Sequence, residues 1–252
     1  MKRNIFAFLL TFAVGTLMAQ PRVVAHRGYW RTDGSAQNSL TSLRRAAEIK
    51  CYGAEFDVWL TADGVPVVFH DGTIDGIKIE DTTFATLMNH RLANGEFLPT
   101  LQQYLYESLK YPDCKLIFEL KAHRTPEREN NAIDKSLELI KMLGLEGRTE
   151  FISFSKHACE YFHQQWPNAK VAYLNGELSP KEVKALGLTG IDYNQKVFEQ
   201  HPEWLTEAAN EGIEVNVWTV DGEQDLRHHA TLKGIDFITT NDPELLQQIL
   251  KN

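Results

Sequence analysis

Carboxylates stand within short apolar segments in the first half of the chain. Glu55 and Asp57 are two residues apart in a segment typical of a strand, so their side chains leave the same face. Glu119 ends a second such segment. Buried carboxylates are costly unless they are compensated, and Ca²⁺ or Mg²⁺, which take oxygen ligands, would compensate them. The pattern therefore predicts that these three residues bind one divalent cation. Buried salt bridges with Arg27 or Lys121 are the alternative.

Two histidines follow apolar segments beside the same acidic positions. His26 comes directly after Ala25, and His70 comes directly after Phe69. An imidazole titrates near neutral pH, so a pair of them can serve as general acid and general base. Next to a metal site and the cations Arg27 and Lys121, which suit an anionic substrate, the pair predicts a site that cleaves a phosphate ester. A lone histidine is more often structural, which is the competing interpretation for each.

Side chains this far apart in sequence meet only if a scaffold brings the ends of their segments together. Short apolar or β-branched segments alternate with amphipathic ones along the chain, which favours a parallel sheet covered by helices. The candidate strands are Arg22–His26, Ala54–Leu60, Val65–Phe69, Lys115–Leu120, Glu150–Phe154, Lys170–Tyr173, Thr189–Tyr193, Glu214–Val220 and Asp236–Thr239. The candidate helices are Ser39–Lys50, Glu127–Leu143, His157–Trp166, Pro180–Leu186, Pro202–Glu211, Glu223–Leu232 and Pro243–Leu250.

The segment Val65–Phe69 does not fit the alternation. Only Ala62–Gly64 separates it from the strand before, and so short a turn makes a hairpin rather than a parallel crossover. Setting it aside leaves eight strand–helix units. We therefore predict an α/β fold, a (β/α)8 TIM barrel with a short insertion after the second strand, and an open sheet as the alternative.

The amino terminus has the features of an export signal. Lys2 and Arg3 precede an unbroken apolar stretch from Ile5 to Met18, too short to span a bilayer and followed by Ala19. Residues 1–19 are predicted to be a cleaved signal peptide and residues 20–252 a single barrel domain. The protein is then exported, to the periplasm or the extracellular medium, and no later segment is apolar for long enough to be inserted stably in a membrane.

The charge balance limits the choice of partners. Thirty-four acidic residues against 26 Lys and Arg give a net charge of −8, so nucleic acid would be repelled. The chain has three cysteines, Cys51, Cys114 and Cys159. An odd number cannot form a fully paired disulfide framework, and no spacing among them suggests zinc. We expect a small-molecule substrate. The oligomeric state is left open.

Several spaced motifs together resemble those of the glycerophosphodiester phosphodiesterase family. The motifs are His26-Arg27-Gly28, Gln37-Asn38-Ser39, Gly53 to Val58, Thr61 to Val67, His70-Asp71, Leu98 to Leu101, Phe118 to Lys121, Val217 to Val220 and Thr239 to Pro243. The resemblance covers essentially all of residues 20–252. It implies a TIM barrel that uses one divalent cation, Ca²⁺ or Mg²⁺, to hydrolyse glycerophosphodiesters to an alcohol and glycerol 3-phosphate.

The same resemblance implies roles for individual residues. His26 and His70 correspond to the acid–base pair, and Arg27 and Lys121 correspond to phosphate contacts. Trp218 corresponds to an aromatic residue that lines the pocket, with packing in the core as the alternative. The metal ligands implied by the family are Glu55, Asp57 and Glu119.

Two departures from the family pattern bear on the site. Gln37 occupies the position where the family usually has Glu. We expect Gln37 to lie next to the metal ligands without binding the metal itself, and its role is not assigned. The stretch after Asp71 also differs, which affects the cover over the site and the choice of alcohol. Two alternatives to the main interpretation remain: a phospholipase-D-like or cyclic phosphodiesterase acting on lysolipids, and an inactive phosphodiester-binding barrel.

Overall fold

The computed structural model describes residues 20–251. The predicted signal segment, residues 1–19, lies outside the described residues. Within residues 20–251, no helix combines the length and the apolar character needed to cross a membrane.

The described chain alternates strands and helices from β1 to the last helix. The strands are β1 Arg22–Ala25, β2 Gly53–Leu60, β3 Pro66–Val68, β4 Thr73–Ile74, β5 Ile77–Lys78, β6 Lys115–Leu120, β7 Thr149–Ser153, β8 Val171–Tyr173, β9 Gly190–Asn194, β10 Glu214–Trp218 and β11 Phe237–Thr240. The helices are α1 Leu40–Glu48, α2 Phe84–Leu87, α3 Leu101–Ser108, α4 Pro126–Met142, α5 Lys156–Gln165, α6 Pro180–Ala185, α7 Gln195–Gln200, α8 Trp204–Glu211, α9 Glu223–Thr231 and α10 Pro243–Lys251. Short 3₁₀ helices form at Ile79–Asp81 and Glu146–Arg148.

Eight of these strands close into a parallel barrel. The strand order is β1-β11-β10-β9-β8-β7-β6-β2, and β2 pairs with β1 to complete the ring. Helices α1, α3, α4, α5, α6, α8, α9 and α10 follow the barrel strands, so the predicted (β/α)8 architecture is confirmed. The ends of the predicted segments differ from the observed ones by one or two residues.

The two faces of each barrel strand bury different side chains. One face packs under the helices in a large apolar core that includes Phe56, Phe118 and Phe151. The other face fills the lumen with a smaller apolar layer of Val24, Ile117, Ile152, Leu174 and Phe237. Successive residues of a strand point to opposite faces. A polar residue on the same face of its strand as these lumen residues therefore projects into the barrel interior.

An insertion lies between β2 and α3. Its first strand, β3, runs antiparallel to β2 with Trp59 opposite Val67, as predicted for the hairpin. The small hairpin β4–β5, the first 3₁₀ helix and α2 follow. A separate apolar cluster of Val67, Ile74, Ile79, Leu87 and Leu98 holds the insertion together.

Helix α3, which completes the second strand–helix unit, was not among the predicted helices. It has eight residues, and its buried positions Leu101, Tyr104, Leu105 and Ser108 follow helical spacing. Thr100 and Gln103 form a reciprocal capping box at its start. That capping box was a readable signal for the helix in the sequence.

Candidate functional site

Three buried carboxylates meet where β2 lies beside β6. Glu55 and Asp57 project from the same face of β2, and the strand register places Glu119 of β6 directly opposite Asp57. Glu55 is 2% exposed, Asp57 1% and Glu119 7%. One oxygen from each carboxylate lies within 4.8 Å of the others. The structure thus brings together the three residues that the sequence predicted as one metal-binding set.

The positive charge around this cluster does not balance three carboxylates. The Lys121 ammonium lies 2.7 Å from Asp57 Oδ1 and 2.7 Å from Glu119 Oε1. The Arg27 backbone amide donates to Glu55 Oε2 at 2.7 Å, while Glu55 Oε1 is buried without a hydrogen-bond partner. The predicted alternative of salt bridges therefore accounts for Lys121 with Asp57 and Glu119 and for Arg27 with Asp57, and it leaves Glu55 without an ion pair among residues 20–251.

Burial sets the pKa of each carboxyl in the cluster. Loss of water, followed by the charges of Asp57 and Glu119, raises the pKa of Glu55 well above its ordinary value. Loss of water and the nearby Asp57 likewise raise the pKa of Glu119. Burial pushes the pKa of Asp57 upward too, but the charges of Lys121 and His70 outweigh it, and the pKa of Asp57 is lowered. Without a further cation, the three carboxyls therefore cannot all be ionised near neutral pH.

The donor set fits a hard divalent cation. All three side chains offer oxygen, the ligand type that Ca²⁺ and Mg²⁺ prefer, and one buried oxygen of Glu55 lacks any partner. A divalent cation would offset the negative charge that Lys121 and Arg27 leave uncompensated. The cysteines lie elsewhere: Cys51, Cys114 and Cys159 are free and buried.

The two predicted histidines reach the same cavity from different elements. His26 follows β1 and His70 follows β3, and both line a cavity of about 130 Å³ together with Glu55, Glu119 and Lys121. Burial, followed by the charge of Arg27, lowers the pKa of His26 to about 4. Burial also lowers the pKa of His70, opposed by the charge of Asp57. The His26 ring is therefore neutral at pH 7 in the absence of substrate.

Arg27 sits in a backbone conformation that presents it to the cavity. Its φ of 57° lies in the left-handed region, and Gly28 follows with φ 73°. The Arg27 Nη1 donates to Gln37 Oε1 at 2.6 Å, and its Nε lies 4.0 Å from Asp57 Oδ2. Gln37 thus contacts the guanidinium rather than the carboxylate cluster. An amide oxygen can hold the arginine without adding a negative charge to the site.

Asn38 contributes to the site in a way that the sequence did not reveal. Its amide donates to Asp57 Oδ2 at 2.7 Å, and its Oδ1 accepts from the Asp57 backbone N–H at 3.1 Å. Ser39 accepts from the Ser42 N–H and is the residue that caps α1. Asn38 is therefore free to fix the orientation of the Asp57 carboxylate.

The opposite wall of the cavity is formed by β7 to β11. Trp218 lies against Phe154 edge to face, with ring centroids 5.5 Å apart, and donates its indole N–H to the Asp192 backbone oxygen at 2.7 Å. Both aromatic rings line the cavity, so Trp218 is a wall residue rather than part of the core beneath the helices.

Asp192 is a further cavity residue that the sequence analysis missed. Its side chain is on the lumen face of β9 and is 2% exposed, and its buried Oδ1 has no hydrogen-bond partner within the described residues. The rule that selected Glu55 and Asp57, a carboxylate on a predicted strand, also applied to Asp192.

His123, two residues after Lys121, is buried. Its Nε2 accepts from the Leu60 N–H at 3.0 Å, and its Nδ1 contacts the Lys121 backbone oxygen at 2.6 Å. The neighbouring Arg124 pairs with Asp81 in the insertion. Thr125 caps α4.

A closed parallel barrel with polar groups gathered at the carboxyl ends of its strands is the architecture of a TIM-barrel enzyme. Residues 26–245 match the model of the glycerophosphoryl diester phosphodiesterase family. The chain belongs to this family of hydrolases, which confirms the resemblance seen in its motifs.

Individual relatives agree with the family match. A glycerophosphodiester phosphodiesterase of Caldanaerobacter subterraneus subsp. tengcongensis is 28% identical over 246 residues, covering 91% of this chain and 97% of the relative. A crystal structure of a glycerophosphodiester phosphodiesterase from Parabacteroides distasonis is 50% identical with a TM-score of 0.90, covering 92% of this chain and 97% of that one. The structure of an Oleispira antarctica phosphodiesterase in complex with the product sn-glycerol-3-phosphate is 26% identical with a TM-score of 0.75, covering 92% and 98%.

Proposed function

We propose that the protein hydrolyses glycerophosphodiesters to an alcohol and glycerol 3-phosphate with the help of one divalent cation, Ca²⁺ or Mg²⁺. The observation that carries the proposal is the cavity itself, where a carboxylate cluster, two histidines and two cationic side chains from four separate segments share one space. Membership of the phosphodiesterase family supports the reaction class. The product complex of the Oleispira antarctica relative supports glycerol 3-phosphate as the product.

Glu55, Asp57 and Glu119 are the proposed metal ligands. The cation bound there would supply positive charge to the phosphate oxygens. Asn38 keeps the Asp57 carboxylate in place through its two hydrogen bonds. Lys121 remains between Asp57 and Glu119, so it stabilises the ligands as well as presenting an ammonium to the cavity.

Arg27 and Lys121 are the proposed phosphate contacts, and His26 and His70 are the proposed acid–base pair. All four residues line the cavity, so a phosphodiester held by the two cations would lie beside both rings. A neutral imidazole can accept a proton and an imidazolium can donate one, so the pair works with one ring in each form. Trp218 forms the apolar side on which the carbon atoms of the substrate would rest.

The test is the release of glycerol 3-phosphate from a panel of glycerophosphodiesters, with Ca²⁺, with Mg²⁺ and with chelator. We expect release that requires the metal. His26→Ala and His70→Ala should each lower kcat by about 10²- to 10⁴-fold, the usual contribution of an acid–base group. His157→Ala is the control, because His157 lies on α5 and bonds Asn130, away from the cavity.

Metal-dependent release from a lysolipid but from no glycerophosphodiester would replace the proposed substrate class. Binding of phosphodiesters without turnover in any metal, by protein with a cooperative unfolding transition, would refute catalysis. Near-normal kcat in both histidine variants would refute the roles of His26 and His70.

We also propose that the protein is exported, to the periplasm or the extracellular medium. The support is the sequence of residues 1–19, with Lys2 and Arg3 before an apolar stretch. Cell fractionation of the full chain, with the mass of its mature form, tests this. Recovery in the cytoplasm with Met1 retained would contradict it.

A further inference from the structure

His26 has one ring nitrogen committed to a hydrogen bond whose direction can be worked out. His26 Nδ1 lies 2.9 Å from Asn241 Oδ1, and Trp30 Nε1 lies 2.8 Å from the same oxygen. An indole N–H can only donate, so the Asn241 atom at this position is an acceptor. An amide oxygen does not donate, and the proton of this bond therefore resides on His26 Nδ1.

The orientation of the Asn241 amide is set from its other side by Asp221. The Asn241 Nδ2 donates to Asp221 Oδ2 at 2.7 Å, and the Asn241 backbone N–H donates to Asp221 Oδ1 at 2.9 Å. Arg31 Nη2 donates to Asp221 Oδ2 at 3.2 Å and pairs with that carboxylate. A reversed amide would place its oxygen against the carboxylate and its NH₂ against the Trp30 N–H. Both contacts would then be repulsive, so only one orientation is allowed.

The second ring nitrogen of His26, Nε2, is available to a molecule in the cavity. Among the described residues 20–251, His26 Nε2 has no hydrogen-bond partner, and the ring lines the proposed catalytic cavity. With the proton on Nδ1, the lone pair is on Nε2. His70 differs, because its Nδ1 lies 2.7 Å from the Asp71 carboxylate, which stabilises a protonated ring.

We propose that Asn241, oriented by Asp221, is a positioning residue that holds His26 in the Nδ1–H tautomer with its Nε2 lone pair toward the substrate. This inference rests on the proposed phosphodiesterase function. His26 Nε2 then takes the proton from the attacking O–H as that oxygen bonds to phosphorus. The bond from phosphorus to the leaving alcohol oxygen breaks, and that oxygen receives a proton from the imidazolium form of His70, whose Nδ1 lies beside Asp71. His26 then releases its proton to water and His70 takes one up, so both rings return to their starting states.

The test compares Asn241→Ala, Asp221→Asn and the double variant Asn241→Asp with Asp221→Asn in the full chain. Asn130→Ala is the matched control, since Asn130 Oδ1 bonds His157 Nε2 at 2.8 Å on helices away from the cavity. Asn241→Ala should lower kcat by about 10- to 100-fold with little change in KM, the usual effect of losing a partner that orients a functional ring. Asn130→Ala should leave kcat unchanged.

The other two variants separate positioning from packing. The double variant Asn241→Asp with Asp221→Asn exchanges the carboxylate and the amide. It keeps an acceptor at His26 Nδ1 and a donor facing it at position 221, so it should recover most of the activity lost in Asn241→Ala. Its carboxylate next to His26 should move the acidic limb of the kcat/KM pH profile to higher pH. The other charged and titratable groups that act on His26 are Arg27, Asp57 and His70. Asp221→Asn removes one acceptor from Asn241 and should lower kcat without altering KM.

A readout that needs no activity is the ¹⁵N NMR signal of His26. The native protein should show the Nδ1–H tautomer, and Asn241→Ala should show a mixture of tautomers. An Nε2–H tautomer in the native protein would overturn the inference, as would equal kcat in Asn241→Ala and the native protein. If the native protein releases no glycerol 3-phosphate but shows the Nδ1–H tautomer, the proposed function has failed while the assigned geometry stands.

Discussion

Replacing Asp192 with Asn should flatten the dependence of stability on pH between about pH 4 and pH 7. The carboxyl is fully buried in the barrel lumen, and this loss of water raises its pKa to about 7, although the neighbouring Asn216 amide acts in the opposite direction. In the unfolded chain an aspartate titrates near pH 4. The folded state therefore retains a proton that the unfolded state has lost throughout this range.

The sign and size follow from proton linkage. Below about pH 4 both states carry the proton and the carboxyl costs the fold little. As pH rises toward 7, the unfolded state is favoured by about 1.4 kcal/mol for each pH unit, and above pH 7 the penalty is constant. Between pH 5 and pH 8 the native Asp192 should therefore lower the free energy of unfolding by on the order of 3 kcal/mol. An amide has no such dependence.

Urea denaturation of the native protein and Asp192→Asn at pH 5 and pH 8 measures the difference directly. Glu55 and Glu119 also titrate, but they do so in both proteins, so comparing the two proteins isolates Asp192. Asp113→Asn is the control, because Asp113 is exposed. If the native protein and Asp192→Asn lose the same free energy of unfolding between the two pH values, Asp192 is ionised in the fold and the argument from burial is wrong.

Two further predictions concern stability. Glu96→Ala should cost about 1–2 kcal/mol, because Glu96 accepts hydrogen bonds from the Leu40 and Thr41 backbone N–H groups at the start of α1, and an unchanged urea midpoint would contradict this. Lys121→Met should cost about 3–5 kcal/mol without divalent ions, because it leaves buried carboxylates unpaired. Added Ca²⁺ should then stabilise the variant more than the native protein in thermal melts, and equal stabilisation would refute the proposed metal site.

The barrel could be predicted because each strand–helix unit carries its own local signal. Helix α4 illustrates this, since Thr125 and Pro126 mark its start and a stripe of apolar residues follows. The hairpin at β3 was predictable for the same reason, because a three-residue turn permits nothing else. Helix α3 was missed although Thr100 carries a capping signal, since its apolar stripe spans only two turns.

Part of the site could likewise be predicted from local sequence, and part depends on contacts between distant residues. Side chains alternate between the two faces of a strand, so the face on which Glu55, Asp57 and Glu119 lie could be predicted from sequence. A shared metal site could therefore be inferred before any contact was known. The positions of His26 and His70 at strand ends could be inferred likewise. These are properties of short stretches of chain, and the sequence by itself determined them.

Only the tertiary structure decided which polar groups orient those residues. Asn241 meets His26 across 215 positions of sequence because β11 lies beside β1 when the barrel closes. Asn38 reaches Asp57 through the same closure, because β1 pairs with β2. A hydrogen bond depends on the placement of two atoms to within a few tenths of an ångström, and no pattern of residue types carries that distance.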